Sequence, residues 1–203
     1  MNKRTGQIAL AVAGVLIVAL VLWLPRRPAS SEEVMAEATD TTSADYKLEQ
    51  AVEQVTSGQD PMQGIMAIRA LAEGDPPHLD ALVWLGIFSI QSGQTDKARE
   101  RFSQVLTLEP GHLDATWQLA LLDMEEGAYD RAVVGFEACM AADSSYRNGL
   151  FFTARCYEGM GKTEAALIRY REYLPFAPDT VVSNRVLSFI ERLESGEAGT
   201  TEP

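Results

Sequence analysis

Three places in the 203-residue sequence carry side chains whose type and spacing could do chemistry. Gly159-Met160-Gly161-Lys162-Thr163 ends like a phosphate-cradling loop, but that loop needs a Gly at position 156, where this chain has Cys, and a buried strand ahead of it. Nucleotide binding is excluded on both counts. His78 and His112 could ligate a metal, yet neither has a Cys or a second His at ligand spacing. There is no Gly-x-Ser-x-Gly elbow and no paired-His motif, and the carboxylates are dispersed. The chain is therefore not expected to be an enzyme, and no catalytic, metal-binding or cofactor-binding residue is assigned.

Cys139 and Cys156 lie symmetrically about one turn of the chain, 16 residues apart by the interval between them. In an oxidising compartment a disulfide there would contribute about 3 kcal/mol through loop entropy. The alternative, two small buried apolar side chains, is the favoured reading.

These residues must be positioned by something, and the organisation of the chain starts at the membrane. Ile8 to Leu24 is an uncharged apolar run of 17 residues. At a helical rise of 1.5 Å it reaches about 26 Å, the short end of what crosses a bilayer. Trp23 sits at its end, where an interfacial aromatic belongs. A cleaved signal peptide would have a shorter apolar core and a small-residue cleavage site, whereas this run meets Pro25, Arg26 and Arg27. Residues 1–28 are read as an uncleaved N-terminal anchor with its transmembrane helix at about 7–25. Lys3 and Arg4 balance Arg26 and Arg27, so flanking charge leaves the orientation near a tie. A short leading tail that stays inside puts the soluble domain in a bacterial periplasm, on the inner membrane.

Beyond the anchor, 13 Lys and Arg face 29 Asp and Glu, a formal charge of −16. Nucleic acid and anionic lipid headgroups are poor partners for such a surface. Residues 29–44 are small, polar and acidic and read as a flexible linker, and 195–203 as a disordered tail.

Between them the sequence repeats. His78-Leu79-Asp80-Ala81 returns as His112-Leu113-Asp114-Ala115 after 34 residues. Gly93, Gly127 and Gly161 share that spacing, as do Ala98, Ala132 and Ala166, and the aromatics Phe102, Phe136 and Tyr170. The Gly suits a left-handed helix end, the Ala a close helix approach, and the aromatic the space between helix pairs. Apolar residues at helical spacing on both sides of each Gly, such as Leu82 and Leu85 before Gly93 and Ala98 and Phe102 after it, give two antiparallel helices per unit. Thr95 or Asp96, and Thr163, are the expected N-caps of the second helices.

On these residues the sequence resembles the tetratricopeptide-repeat family, across 79–180. The first unit supplies Leu82, Leu85, Gly86, Ala98, Phe102 and Pro110, the second Leu119, Ala120, Ala132 and Phe136, and the third Leu150, Ala154, Tyr157, Ala166, Tyr170 and Pro178. Ser89 and Asp123 stand where the family favours Tyr. The resemblance implies an all-α fold, a helical-hairpin solenoid of three units (79–112, 113–146, 147–180). A degenerate helix pair (45–78) precedes them and a capping helix (181–194) follows.

The resemblance also implies a groove on the inner face, lined by the first helix of each unit. Its expected protein-binding residues are Val83, Ile87, Ile90, Trp117, Leu121, Met124, Phe151 and Arg155, an apolar stripe suited to a protein or peptide partner such as an amphipathic helix. The competing reading is that the degenerate pair or the capping helix already covers this stripe. The basic clamp that some relatives use for a C-terminal carboxylate is missing, its positions being Val83, Ile87, Gln118, Asn148 and Phe152. The function expected is that of a membrane-anchored scaffold or adaptor in a cell-envelope complex, of secretion or cytochrome-maturation type. The alternatives are a chaperone or receptor for apolar segments, and a structural subunit without a groove ligand.

Overall fold

The computed structural model describes residues 43–196, and the anchor, most of the linker and all but two residues of the tail lie outside them. Every element in the described span is helical, and none of its helices is long and apolar enough to cross a membrane. Four helix pairs follow in order: α1 (Ala44–Ser57) with α2 (Pro61–Ala72), α3 (Leu79–Gln91) with α4 (Thr95–Leu108), α5 (Leu113–Glu125) with α6 (Tyr129–Ala142), and α7 (Gly149–Gly159) with α8 (Thr163–Tyr173). Helix α9 (Thr180–Ser195) closes the stack, and short 3₁₀ turns at Ser144–Asn148 and Leu174–Phe176 precede α7 and follow α8.

The turn within each of the last three pairs is one device used three times. Gly93, Gly127 and Gly161 have φ of 73°, 77° and 70°, the left-handed region open to glycine. The Gly93 amide donates to Ile90 O at 2.9 Å and the Gln94 amide to Ser89 O at 2.8 Å. Ala128 to Asp123 O (2.7 Å) and Lys162 to Tyr157 O (2.8 Å) repeat the longer bond. This double closure is the Schellman arrangement, which satisfies carbonyls the helix end leaves free. The residue after each Gly then serves as N-cap of the second helix: Gln94, Ala128 and Lys162, none with a side-chain cap bond. Thr95 and Thr163 are therefore the first helical residues rather than caps, because a single residue separates each Gly from its second helix and takes the cap position. In the first pair the joint is one residue longer. Gly58 (φ 72°) is followed by Gln59 and by Asp60, which accepts from the Gln63 amide at 3.1 Å ahead of Pro61 at the first turn.

Packing between the two helices of a pair follows the repeat. Ala98, Ala132 and Ala166 are fully buried, as are Phe102, Phe136 and Tyr170, each aromatic contributing about 2–3 kcal/mol by burial. Gly86 shows how tight the approach is, since a Cβ there would stand 2.4 Å from Phe102 Cε1. Ile68 and Gly64 take the same places in the degenerate pair, and both are buried.

The ends of the elements differ from the sequence reading in two places. Ser43 caps α1 by accepting from the Tyr46 amide at 3.1 Å, so Ala44 is helical and not linker. Helix α7 starts at Gly149, because Asp143 accepts from the Ser145 amide at 2.7 Å and starts a 3₁₀ turn where a Pro-led turn stands in earlier units. Helix α9 buries Val186 and Ile190, while Leu187 is 42% exposed.

A candidate protein-binding groove

The first helices of successive pairs, α1, α3 and α5, line one groove of about 620 Å³. Its floor is apolar: Leu48 and Val52 from α1, and Val83, Trp84 and Ile87 from α3. Its rim is acidic, with Asp45 and Glu49 from α1, Asp80 from α3 and Asp114 from α5. The carboxylates arrive there by repetition, since Asp45, Asp80 and Asp114 are each the second residue of their helix.

A hydrogen-bond ladder ties each of these Asp residues to a residue just ahead of the first helix of the next pair. His78 Nε2 lies 3.0 Å from Asp45 Oδ1, His112 Nε2 lies 3.2 Å from Asp80 Oδ1, and Tyr146 Oη donates to Asp114 Oδ1. Burial, and then the carboxylate it binds, push the Tyr146 phenol above its ordinary pKa. The recurring His-Leu-Asp-Ala string is thus a joint between units. Ligand atoms of Asp45, His78 and Asp80 fall within 4.8 Å of one another, which is the spacing a cation would need.

Only Val83 and Ile87 of the eight stripe residues line this groove, and Val83 is 5% exposed. Ile90 is half-buried against the core formed by the first two pairs. Trp117 lies in an aromatic cluster, its ring 4.9 Å from Phe136, 5.3 Å from Tyr146 and 5.4 Å from Phe152. Leu121 and Met124 pack on the same cluster. Phe151 stacks between elements, 5.6 Å from Tyr173 and 6.2 Å from Phe189 of α9. Arg155 is exposed, with its guanidinium 5.6 Å from the Phe189 ring.

The stripe is therefore not one surface. Its C-terminal half is held by aromatic packing between units and by α9, which also sends Arg192 to Glu158 at 2.6 Å, while Tyr170 reaches the same carboxylate at 2.9 Å. The N-terminal half stays open. Asp80 and Asp114 are inner-face positions in the sequence as well, whereas Asp45, Leu48, Glu49 and Val52 went unread because the irregular turn at Gly58 hid the register of α1; their 3–4 spacing was the available signal.

Two other polar centres explain the departures from the repeat pattern. Asp123, 8% exposed, accepts from Arg131 Nε at 3.2 Å and Nη2 at 3.0 Å, and pairs with Arg99 at 2.9 Å. Burial works to raise its pKa, but the bonds from Arg131 and Arg99 and their charges outweigh it and hold the carboxyl below the usual range. Ser89, the corresponding residue of the preceding unit, accepts from Arg101. Cys139 and Cys156 are free buried thiols, and burial pushes Cys156 up to about 11.

A stack of like helix hairpins with an open inner face defines a helical-repeat protein of the kind that binds other chains. Residues 89–134 match the family model described as tetratricopeptide repeat. No curated protein matches the sequence significantly. Among solved structures, a tetratricopeptide repeat protein from Parabacteroides merdae superposes with a TM-score of 0.61 at 15% identity, covering 75% of this chain and 60% of that one. MamA from Desulfovibrio magneticus RS-1 gives 0.58 at 17% identity, over 77% of this chain and 97% of the other. A MamA structure marked AMB-1 gives 0.56 at 19%, over 75% and 91%. The described residues share the fold of these tetratricopeptide-repeat structures, and the family-model match at 89–134 lies within it.

Proposed function

We propose that this chain is a membrane-anchored scaffold or adaptor whose repeats hold a protein partner, in a cell-envelope complex of secretion or cytochrome-maturation type. The observation that carries this reading is the groove across α1, α3 and α5, onto which half-buried Val52, Trp84 and Ile87 open. The apolar run Ile8–Leu24 supports an anchor, the acidic remainder supports a domain that stays in water, and the short tail ahead of the run supports the periplasmic side.

A photo-crosslinking residue placed at Ile87, in the groove, tests the reading in intact membranes against one at exposed Ile168 on α8. One stoichiometric adduct from Ile87 alone is the expected result. Many weak adducts would replace the adaptor with a chaperone or receptor for apolar segments. Equal labelling from both positions, or none, would leave a structural subunit without a groove ligand. A reporter active only in the cytoplasm, fused after Pro203, tests the placement, and activity there overturns it.

A further inference from the structure

The groove's polarity says more than that something binds. Four of its lining residues are carboxylates, Asp45, Glu49, Asp80 and Asp114, and no Lys or Arg lines it. Among the described residues, none of the four forms an ion pair with a Lys or Arg; their partners are the two imidazoles and the Tyr146 hydroxyl. The Asp45 side chain is 87% exposed and that of Asp80 56%, so both keep lone pairs facing the groove. Their oxygens come within 4.8 Å of each other and of a ring nitrogen of His78. Two carboxylates this close repel, and one cationic head between them relieves the repulsion while bonding to both.

We propose that this half of the groove takes a basic amphipathic segment of a partner protein, with a Lys or Arg head seated between Asp45 and Asp80 and apolar side chains laid on the half-buried Val52, Trp84 and Ile87. The inference rests on the groove reading above and adds the partner's chemistry to it. The charge sits on the rim and the apolar surface on the floor, so a matching segment needs both faces. A basic segment is also drawn to a chain with a net charge of −12 before contact is made. An acidic or purely apolar segment would desolvate the four carboxylates without bringing a compensating positive charge.

The test uses the full chain in a neutral detergent and short fluorescent peptides of alternating Leu and Lys, Leu and Gln, or Leu and Glu, followed by anisotropy. The Leu-Lys peptide is expected to bind, and Asp45→Asn with Glu49→Gln to weaken it about tenfold. Glu49→Gln alone, at an exposed position without a partner, is expected to weaken it by a smaller factor and keeps the inter-unit joint intact. Asp96→Asn with Glu100→Gln removes the same charge from the exposed side of α4 and should leave binding unchanged. An equal loss from the α4 pair means general charge attraction and overturns the proposal. Abolition of binding by a chelator overturns it in favour of a metal held by Asp45, His78 and Asp80. Leu-Gln or Leu-Glu binding as tightly as Leu-Lys overturns the basic partner and leaves the groove standing. Binding of none of the three sinks both.

Discussion

His112 joins two units through one ring: its Nε2 lies 3.2 Å from Asp80 Oδ1, 32 residues earlier, and its Nδ1 accepts from the Ala115 amide at 3.4 Å. Both bonds are met by the neutral tautomer with its proton on Nε2. His78 makes the same inter-unit bond to Asp45, but its buried Nδ1 has no partner. His112→Ala is accordingly expected to cost about 1–2 kcal/mol in urea unfolding, and His78→Ala roughly half as much. Equal costs would mean that the cap bond contributes nothing.

Asp123 is the charge on which the middle of the stack depends. Asp123→Ala strands Arg99 beside a buried site and is expected to cost about 2–3 kcal/mol, toward the lower end for a broken pair because Arg131 is 65% exposed. The folded carboxyl titrates below its unfolded value, so its contribution is present above about pH 4 and is lost as pH falls through the folded pKa. The stability gap between the wild type and Asp123→Asn should therefore narrow below about pH 4 in unfolding measured across pH. A gap that stays constant would remove the ion pair from the account.

Both thiols should be silent in the native protein. With Cys156 pushed up to about 11 and Cys139 also raised, almost no thiolate exists at pH 8, and neither sulfur is reachable. A maleimide or aromatic disulfide reagent is expected to label them only at the rate of unfolding. The sign of the linkage is that stability falls as pH rises from about 8.5, where unfolded thiols ionise.

Gly86 and Gly111 make a matched pair. A methyl at Gly86 would meet the Phe102 ring, which is fully buried and cannot withdraw, so Gly86→Ala is expected to cost about 1–3 kcal/mol. At Gly111 nothing lies within 4 Å, and Gly111→Ala should be close to neutral in the same thermal or urea melts.

The repeat itself was readable because each of its marks has a single physical cause. A Gly with positive φ, a small Ala and an aromatic between helices recur in step, and all three series fall where that chemistry requires. The candidate site was less readable. Trp117 and Phe151 look like anchors in a one-dimensional stripe, but whether a half-apolar helix face is open or covered depends on neighbours far along the chain, here Phe152 and Phe189. Those contacts are tertiary, and no spacing rule within a unit contains them. The caps were misread for a related reason. Thr163 is a good cap by type, but the tight joint after Gly161 gives the cap position to Lys162.

The three identical Gly joints make the stack a set of interchangeable cassettes. Excising residues 95–128 would join Gln94 directly to Tyr129, placing Ala132 and Phe136 at the offsets from Gly93 that Ala98 and Phe102 now hold. The same cut would bring Tyr146 to Asp80 in place of His112. The length of this protein is thus a separable variable. A lineage can lengthen or shorten the stack by whole cassettes, and the cut above takes Asp114 out of the acidic mouth while Asp45, Glu49 and Asp80, on α1 and α3, travel with the N-terminal block.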